Sequence, residues 1–499
     1  MRHLMSWTHL PALLIAFAAL QQPAPARAQT DTAPPAANRH LLAAFSWGTG
    51  NIGDIAIAPG LLNLLDEVQP NLPVVVMTSQ SAASQSFARV AEYLPRYSKN
   101  CRAVPYPFTI GTDANAGAPG TAWRAFHDRW GASTLRAFEN GTLSARIAAR
   151  VADDVLNRLP REMLDELQNK DPEAARALTD AGFVLFTSGT TLNFGRMGQR
   201  RFYSFSLKFA MPLLIARVQG IPYGIGGQSF EALDWPSDLV FRPLFKDAQF
   251  VYCRDPDSLA YLAQRDLLAP RSGFRPDSTF FFQGFDEPWL ESYLSDHRLS
   301  PKKFITLTIR SAKSQPGPLA DTITQERQDE HMERIRQFLT DWVTQTGVPV
   351  VLCPEVRYEI PLMHDNVYQR LAPEVREKCI WMDQFWTTEQ AYSLYRQAEM
   401  VVSMEMHSVI MALSLGTPVL MPQFSENGRK VWMLEELDLR DWIFDIDDPA
   451  DAPRLLAAAL KIHQDPAQAE ARIRRQLPHV RQMGLEMVTE IMLSFGRLK

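Results

Sequence analysis

Short apolar runs that each end in glycine or polar residues, with helical patterns between them, recur along this 499-residue chain. The first apolar run covers residues 40–47 and leads into a glycine-rich turn at 48–54. Residues 55–68 then show apolar side chains at helical spacing, and a second apolar run follows at 73–78. Strand, turn, helix and strand in this order predict an α/β fold built on a parallel sheet.

The same pattern returns in the second half of the chain. Residues 294–303 are charged and contain Pro301, which indicates a domain joint. We therefore predict two Rossmann-like α/β domains facing a cleft, with residues 40–298 in the first and 299–499 in the second. Two segments should be helical: an insertion in the first domain and the end of the second, at about 115–180 and 467–499.

Composition excludes some classes of protein. Hydrophobic residues make up 46% and charged residues 21%, as in ordinary globular proteins. The formal net charge is -5 and no basic stripe stands out, so nucleic acid is not an expected partner. No set of His, Cys and carboxylate residues has metal-ligand spacing, so we predict neither a metal nor another cofactor.

The N-terminus resembles an export signal. Arg2 precedes an apolar run at residues 10–20, and Ala26-Arg27-Ala28 follows. This run is too short for a membrane-spanning helix, which needs about 20 apolar residues. We expect a signal peptide over residues 1–28, a linker over 29–39 and a periplasmic or secreted mature chain without integral membrane contact. An uncleaved membrane anchor is the alternative.

Four cysteines are present, and their spacing matches no zinc pattern. In an oxidising compartment, Cys353 and Cys379 are the best-placed pair for a disulfide, because both lie near strands of one βαβ unit. Buried free thiols are the other interpretation.

The turn at 48–54 contains Gly48, Gly50 and Gly53, the spacing of a dinucleotide-binding turn. Such a site also needs an acidic residue after the second strand, and residues 78–80 supply none. A turn whose backbone N–H groups face an anion or a sugar agrees better with the sequence. Asp54 would then be either a ligand or a first-turn acid of the helix.

An acid and a histidine follow another predicted strand at residues 400–403. Glu405 and His407 stand at the entry to a small-residue helix, and Gly416-Thr417-Pro418 leads into the next strand. Because ligands of open α/β sheets bind past the carboxyl ends of strands, both side chains are candidates for a site.

Several motifs stand at the ends of predicted strands or in the loops that follow: Asn51-Ile52-Gly53-Asp54, Ser188-Gly189-Thr190, Gly226-Gly227-Gln228-Ser229, Cys253-Arg254-Asp255, Ser403-x-Glu405-x-His407 and Lys430. In this order and placement they resemble the polysaccharide pyruvyl transferase family. The similarity extends from about residue 47 to about residue 437.

The resemblance implies a fold similar to GT-B glycosyltransferases. It also implies transfer of a pyruvyl unit from phosphoenolpyruvate to two hydroxyls of a polysaccharide, forming a cyclic ketal. His407 takes the place of the family's acid/base, and Arg310 would bind the donor. The expected substrate-binding residues are Asn51, Asp54, Ser188, Gly189, Gln228, Arg310, Arg429 and Lys430.

Glu405 departs from the family pattern, which has a donor-binding arginine there. A carboxylate would repel an anionic donor. Phosphoenolpyruvate is also a cytoplasmic metabolite, whereas an export signal is predicted. Two alternatives therefore stay open. One is an exported hydrolase that removes pyruvate ketals, with Glu405 and His407 as acid and base; the other is a non-catalytic glycan-binding module.

Overall fold

The computed structural model describes residues 39–46, 50–80, 84–108, 120–187, 189–192, 206–230, 232–311 and 323–496. The predicted signal peptide, the predicted linker except Arg39, and the candidate site residue Ser188 lie outside the described residues. Residues 39–499 form one compact unit. No described helix is long and apolar enough to cross a membrane.

The first sheet has seven described strands, all parallel, in the order β3-β2-β1-β4-β5-β6-β7. The order reverses between β1 and β4, which creates a topological switch point. The strands are β1 His40–Ser46, β2 Val74–Thr78, β3 Cys101–Pro105, β4 Ala181–Phe186, β5 Tyr223–Gln228, β6 Val251–Cys253 and β7 Ser272–Phe274.

The second sheet has six described strands, also parallel, in the order β10-β9-β8-β11-β12-β13. Its switch point lies between β8 and β11. The strands are β8 Ile305–Thr308, β9 Val350–Leu352, β10 Cys379–Trp381, β11 Met400–Ser403, β12 Val419–Gln423 and β13 Ile443–Asp445. The predicted α/β class with two Rossmann-like sheets is confirmed. The boundary predicted at 298/299 falls between β7 and β8 and stays a prediction.

Helices cover both sheets, as the alternating sequence pattern predicts. The α-helices described are α1 Ile52–Val68, α2 Gln85–Tyr93, α3 Gly120–Trp130, α4 Ala132–Glu139, α5 Ala145–Asp153, α6 Leu159–Lys170, α7 Pro172–Thr179, α8 Ser206–Gln219, α9 Asp238–Lys246, α10 Pro256–Gln264, α11 Glu287–Asp296, α12 Gln325–Thr346, α13 Glu359–Asn366, α14 Pro373–Arg376, α15 Thr388–Gln397, α16 Met406–Ser414, α17 Asp451–Gln464 and α18 Pro466–Ser494. Shorter 3₁₀ or π segments are Leu94–Arg96, Asp154–Arg158, Ser278–Phe281, Tyr368–Arg370, Ser425–Asn427, Arg429–Glu435 and Arg440–Trp442.

The central strands are buried along their whole length because both faces of each sheet are covered. Every residue of β2, β4 and β11 is buried. The terminal helix α18 also packs on the first sheet: a side chain at Gly226 of β5 would lie 2.9 Å from Met487 Sδ. The C-terminal residues therefore help to bury the first sheet.

All four cysteines are buried free thiols. Cys379 pairs in register with Val350, whereas Cys353 follows the other end of β9. The three-residue offset along parallel strands is about 10 Å, longer than a disulfide can span. The disulfide considered for Cys353 and Cys379 does not form.

Candidate active site

The turn after β1, at the switch point of the first sheet, is joined by backbone hydrogen bonds to the loop after β9 of the second sheet. The Ile52 N–H donates to the Glu355 carbonyl at 3.0 Å, and the Arg357 N–H donates to the Gly50 carbonyl at 3.0 Å. The loop after β9 thus lies against the turn after β1. This contact places helix α1 of the first sheet beside the loops at the carboxyl edge of the second.

Gly53, in the first turn of α1, packs directly against the His407 ring. A Cβ at Gly53 would lie 2.1 Å from His407 Cγ and 2.3 Å from its Nδ1. No side chain larger than hydrogen fits there unless the imidazole moves. Gly53 is therefore needed for close packing of α1 on His407, and this contact accounts for the glycine without a bound dinucleotide.

His407 is held by a carboxylate that sequence reasoning missed. Its Nδ1 lies 3.1 Å from Glu355 Oε1. Glu355 Oε2 accepts hydrogen bonds from the Ser408 N–H at 2.6 Å and the Ser408 hydroxyl at 2.8 Å. Glu355 therefore caps helix α16 and orients the imidazole at the same time.

His407 and Glu355 each favour the charged form of the other. Burial alone would lower the pKa of His407, but the hydrogen bond and charge of Glu355, together with the charges of Asp277 and Asp54, raise it above its usual value. Burial would raise the pKa of Glu355, but the bond to His407 and the nearby positive charges lower it. His407 Nε2 is buried and has no hydrogen-bond partner within the described residues. One imidazole nitrogen is fixed and the other remains available.

Two aspartates lie close enough to affect His407. Burial, followed by the charge of Glu355, raises the pKa of Asp54, although His407, Lys430 and Arg254 act in the opposite direction. Burial would also raise the pKa of Asp277, but Arg254 and His407 lower it. The environment therefore shifts Asp54 toward its protonated form and Asp277 toward its ionised form.

Arg254, at the end of β6, forms a fully buried ion pair. Its Nη1 lies 2.7 Å from Asp277 Oδ2, and its Nε donates to the Ser229 hydroxyl at 2.9 Å. The guanidinium passes over Gly189, where an added Cβ would lie 3.6 Å from Nη2. The turn after β4 is thus packed against a buried cation.

Gln228, at the end of β5, is fully buried. Neither its amide oxygen nor its amide nitrogen has a partner in the part of the chain that the structure describes. A buried amide without hydrogen bonds costs free energy, which a bound polar group would recover. The Gln228 amide can therefore accept hydrogen bonds from a polar ligand and donate hydrogen bonds to it.

Glu405 forms ion pairs with two basic residues at the second switch point. Its Oε2 lies 2.5 Å from Arg310 Nη1 and 3.5 Å from Lys430 Nζ. Its backbone is that of an N-cap residue of α16, but its side chain makes no capping bond. Burial, and then the neighbouring Arg310, lower the pKa of Lys430 to about 8, while Glu405 opposes this shift.

A further carboxyl group, that of Glu359, contacts the backbone at Glu355. Its Oε2 accepts hydrogen bonds from the backbone N–H groups of Glu355 and Val356. Burial, together with the charges of Glu405 and Glu355, raises the pKa of Glu359 well above its usual value. The environment of Glu359 therefore favours its neutral form.

Comparison with known proteins identifies the protein family of this chain. The profile of the polysaccharide pyruvyl transferase family matches residues 51–421. The chain belongs to this family. No curated protein sequence matches it.

Several solved structures share the fold of this family member. A UDP-N-acetylglucosamine 2-epimerase is 13% identical, with a TM-score of 0.52 over 93% of this chain and 97% of that chain. The Staphylococcus aureus MnaA–UDP structure is 10% identical, with a TM-score of 0.52 over 92% and 98%. Medicago truncatula UGT71G1, solved with UDP-glucose, is 10% identical, with a TM-score of 0.50 over 92% and 99%. At these identities the likeness shows the GT-B-like fold alone.

The predicted site residues of this pyruvyl transferase family member take several different positions. Asn51 caps α1, accepting hydrogen bonds from the backbone N–H groups of Gly53 and Asp54 at 2.7 and 3.1 Å. Arg429 instead contacts α10, with its guanidinium carbon 4.8 Å from the centre of the Tyr261 ring. Asp54 lies close enough to His407 for its charge to raise the pKa of the histidine. Arg310 and Lys430 lie around Glu405, and Gln228 and Gly189 lie beside Arg254.

Proposed function

We propose that this chain transfers a pyruvyl unit to hydroxyl groups of a polysaccharide, with His407 as the acid/base and Glu355 as its positioning residue. The observation that supports this role is the buried His407 ring, fixed at Nδ1 and without a described partner at Nε2. The family supports transfer to a polysaccharide as the general activity.

Formation of a pyruvate ketal requires proton transfers at the oxygen atoms that react. The carboxylate of Glu355 can only accept a hydrogen bond, so Nδ1 of His407 carries the proton. Nε2 can then take a proton from a sugar hydroxyl, and the resulting imidazolium can return it to a leaving group. The charges that raise the pKa of His407 stabilise that imidazolium.

Other residues would orient the glycan. The Gln228 amide could exchange hydrogen bonds with sugar hydroxyls, and Asp54 offers a second acceptor or donor near His407. The signal-peptide pattern of residues 1–28 supports export of this protein, which agrees with a glycan substrate outside the cytoplasm.

The test is transfer to a labelled oligosaccharide acceptor. Purified protein is incubated with the acceptor and either phosphoenolpyruvate or a pyruvylated polysaccharide as donor. Mass spectrometry of the acceptor should show the gain of one pyruvyl unit with at least one donor, and His407→Gln should abolish the gain. No gain with either donor across a panel of glycans would refute transfer.

A further inference from the structure

The start of helix α1 is held from two sides by segments that belong to the second sheet. The Ile52 N–H donates to the Glu355 carbonyl at 3.0 Å, and the Ile52 carbonyl accepts a hydrogen bond from the Thr388 hydroxyl at 3.0 Å. Thr388 is the first residue of α15, between β10 and β11, and is 1% exposed. Both backbone polar groups of Ile52 are therefore bound by residues of the second sheet's connections.

The two segments that hold Ile52 are also joined to each other. The Trp386 indole N–H donates to the Pro354 carbonyl at 2.7 Å. The residues just before α15 are thus bound to the loop that carries Glu355. Because this hydrogen bond and that of Thr388 are both buried, water does not compete for either. The loop after β9 and the start of α15 together form one seat for the start of α1.

The residue after Ile52 contacts the imidazole directly. A Cβ at Gly53 would lie 2.1 Å from His407 Cγ, so the backbone of α1 touches the ring. The N–H groups of Gly53 and Asp54 donate to the Asn51 side chain, and that of Ile52 to Glu355. The donors at the start of α1 are therefore used within the chain, and this turn packs against His407.

We propose that Thr388 is a positioning residue for His407: its hydroxyl holds Ile52, and the held backbone keeps Gly53 against the imidazole. This inference rests on the proposed function, in which His407 is the acid/base. Thr388 acts through α1 and is not itself a catalytic residue. The ring is then fixed by Glu355 at Nδ1 and by the seated start of α1 on the side of Gly53.

Helix α15 offers a matched control, because a second hydroxyl reaches it from the first sheet. Tyr97, between β2 and β3, donates to Glu389 Oε1 at 2.8 Å. Glu389 follows Thr388 in the first turn of α15. The described hydrogen bonds of the Tyr97 hydroxyl go to Glu389 and Tyr93, neither of which lies in α1. Tyr97→Phe and Thr388→Val each remove one hydroxyl that binds across the two sheets, but only Thr388 binds α1.

The experiment compares kcat and KM of pyruvyl transfer for these two variants. A catalytic group misplaced by about 1 Å can lose about 10²-fold in rate, and loss of one hydrogen bond should displace the ring by less. Thr388→Val should therefore lower kcat about tenfold and leave KM unchanged. Tyr97→Phe should keep the wild-type kcat even if both variants lower the midpoint of thermal denaturation. Thr388→Ser keeps the hydroxyl and should restore kcat.

A wild-type kcat in Thr388→Val, or an equal loss in Tyr97→Phe, would overturn the proposal. If the valine variant does not fold, Thr388→Ala removes the same hydroxyl without adding a methyl group. NMR signals of the His407 ring, assigned with His407→Gln, judge Thr388 without any transfer assay. They should change in Thr388→Val and stay in place in Tyr97→Phe. Absence of transfer by wild type refutes the proposed function, whereas unchanged ring signals in Thr388→Val refute the positioning role.

Discussion

Replacement of Gly53 by alanine should damage the site through a single methyl group. Its Cβ would lie 2.1 Å from His407 Cγ. Ordinary van der Waals contact begins at 3.4 Å, so the ring must move by about 1.3 Å. That movement would break the hydrogen bond from His407 Nδ1 to Glu355, which is 3.1 Å long.

Two opposing effects set the magnitude. Alanine is a better helix former than glycine by about 1 kcal/mol, which favours the variant. Overpacking a buried contact costs about 1–3 kcal/mol, and a catalytic group misplaced by about 1 Å can lose about 10²-fold in rate. We therefore expect a modest fall in stability and a large fall in transfer activity.

The assay compares Gly53→Ala with Gly50→Ala. Gly50 lies in the same turn, but an added Cβ there meets nothing within 4 Å. Pyruvyl transfer and the midpoint of thermal denaturation are measured for both variants. If Gly53→Ala retains wild-type activity, or if both variants lose activity equally, then Gly53 does not set the position of His407.

Three further substitutions have definite expected outcomes. Glu355→Gln removes the charge that raises the pKa of His407, so an NMR titration of that ring should shift to lower pH; an unchanged midpoint would contradict the pairing. Because the pKa of Glu359 is raised, its stabilising contribution is complete below the usual carboxyl range and is lost as pH rises through the folded-state pKa. Glu359→Gln should therefore raise the melting temperature more at alkaline than at mildly acidic pH, and an equal change at both would count against a neutral Glu359. Arg254→Met should lower the free energy of unfolding by about 3–5 kcal/mol, because Asp277 loses its buried ion pair. Adding Asp277→Asn should recover part of that loss in denaturant titrations, and no recovery would argue against unpaired charge as the cause.

The fold follows from local patterns that the sequence displays. Apolar runs, strand-end glycines and helical spacing predicted two parallel sheets because each of these signals acts within a few residues. The terminal helical segment predicted at 467–499 corresponds to α18, which has the bounds Pro466–Ser494. Within the helical insertion predicted at about 115–180, Ala145–Asp153 is followed by the π segment Asp154–Arg158, a local detail that spacing alone does not determine.

The partners of the site residues could not be predicted in the same way. Glu405 and Arg310 are 95 positions apart, and their contact depends on the pairing of β11 with β8. Glu355 was missed because β8 separates β9 from β11 in the sheet. A signal did exist, since Glu355 is an acid just after a buried strand. Gly53 was interpreted as part of an anion-binding turn because its contact with His407 joins distant segments.

The rate of pyruvyl transfer by His407→Gln, measured beside wild type and Glu355→Gln with equal amounts of folded protein, is the most direct test of the proposed mechanism. Loss of a general acid/base costs about 10²–10⁴-fold. We predict a loss in that range for His407→Gln and a smaller loss for Glu355→Gln, whose side chain acts through the imidazole. A His407→Gln rate equal to that of wild type would contradict the mechanism.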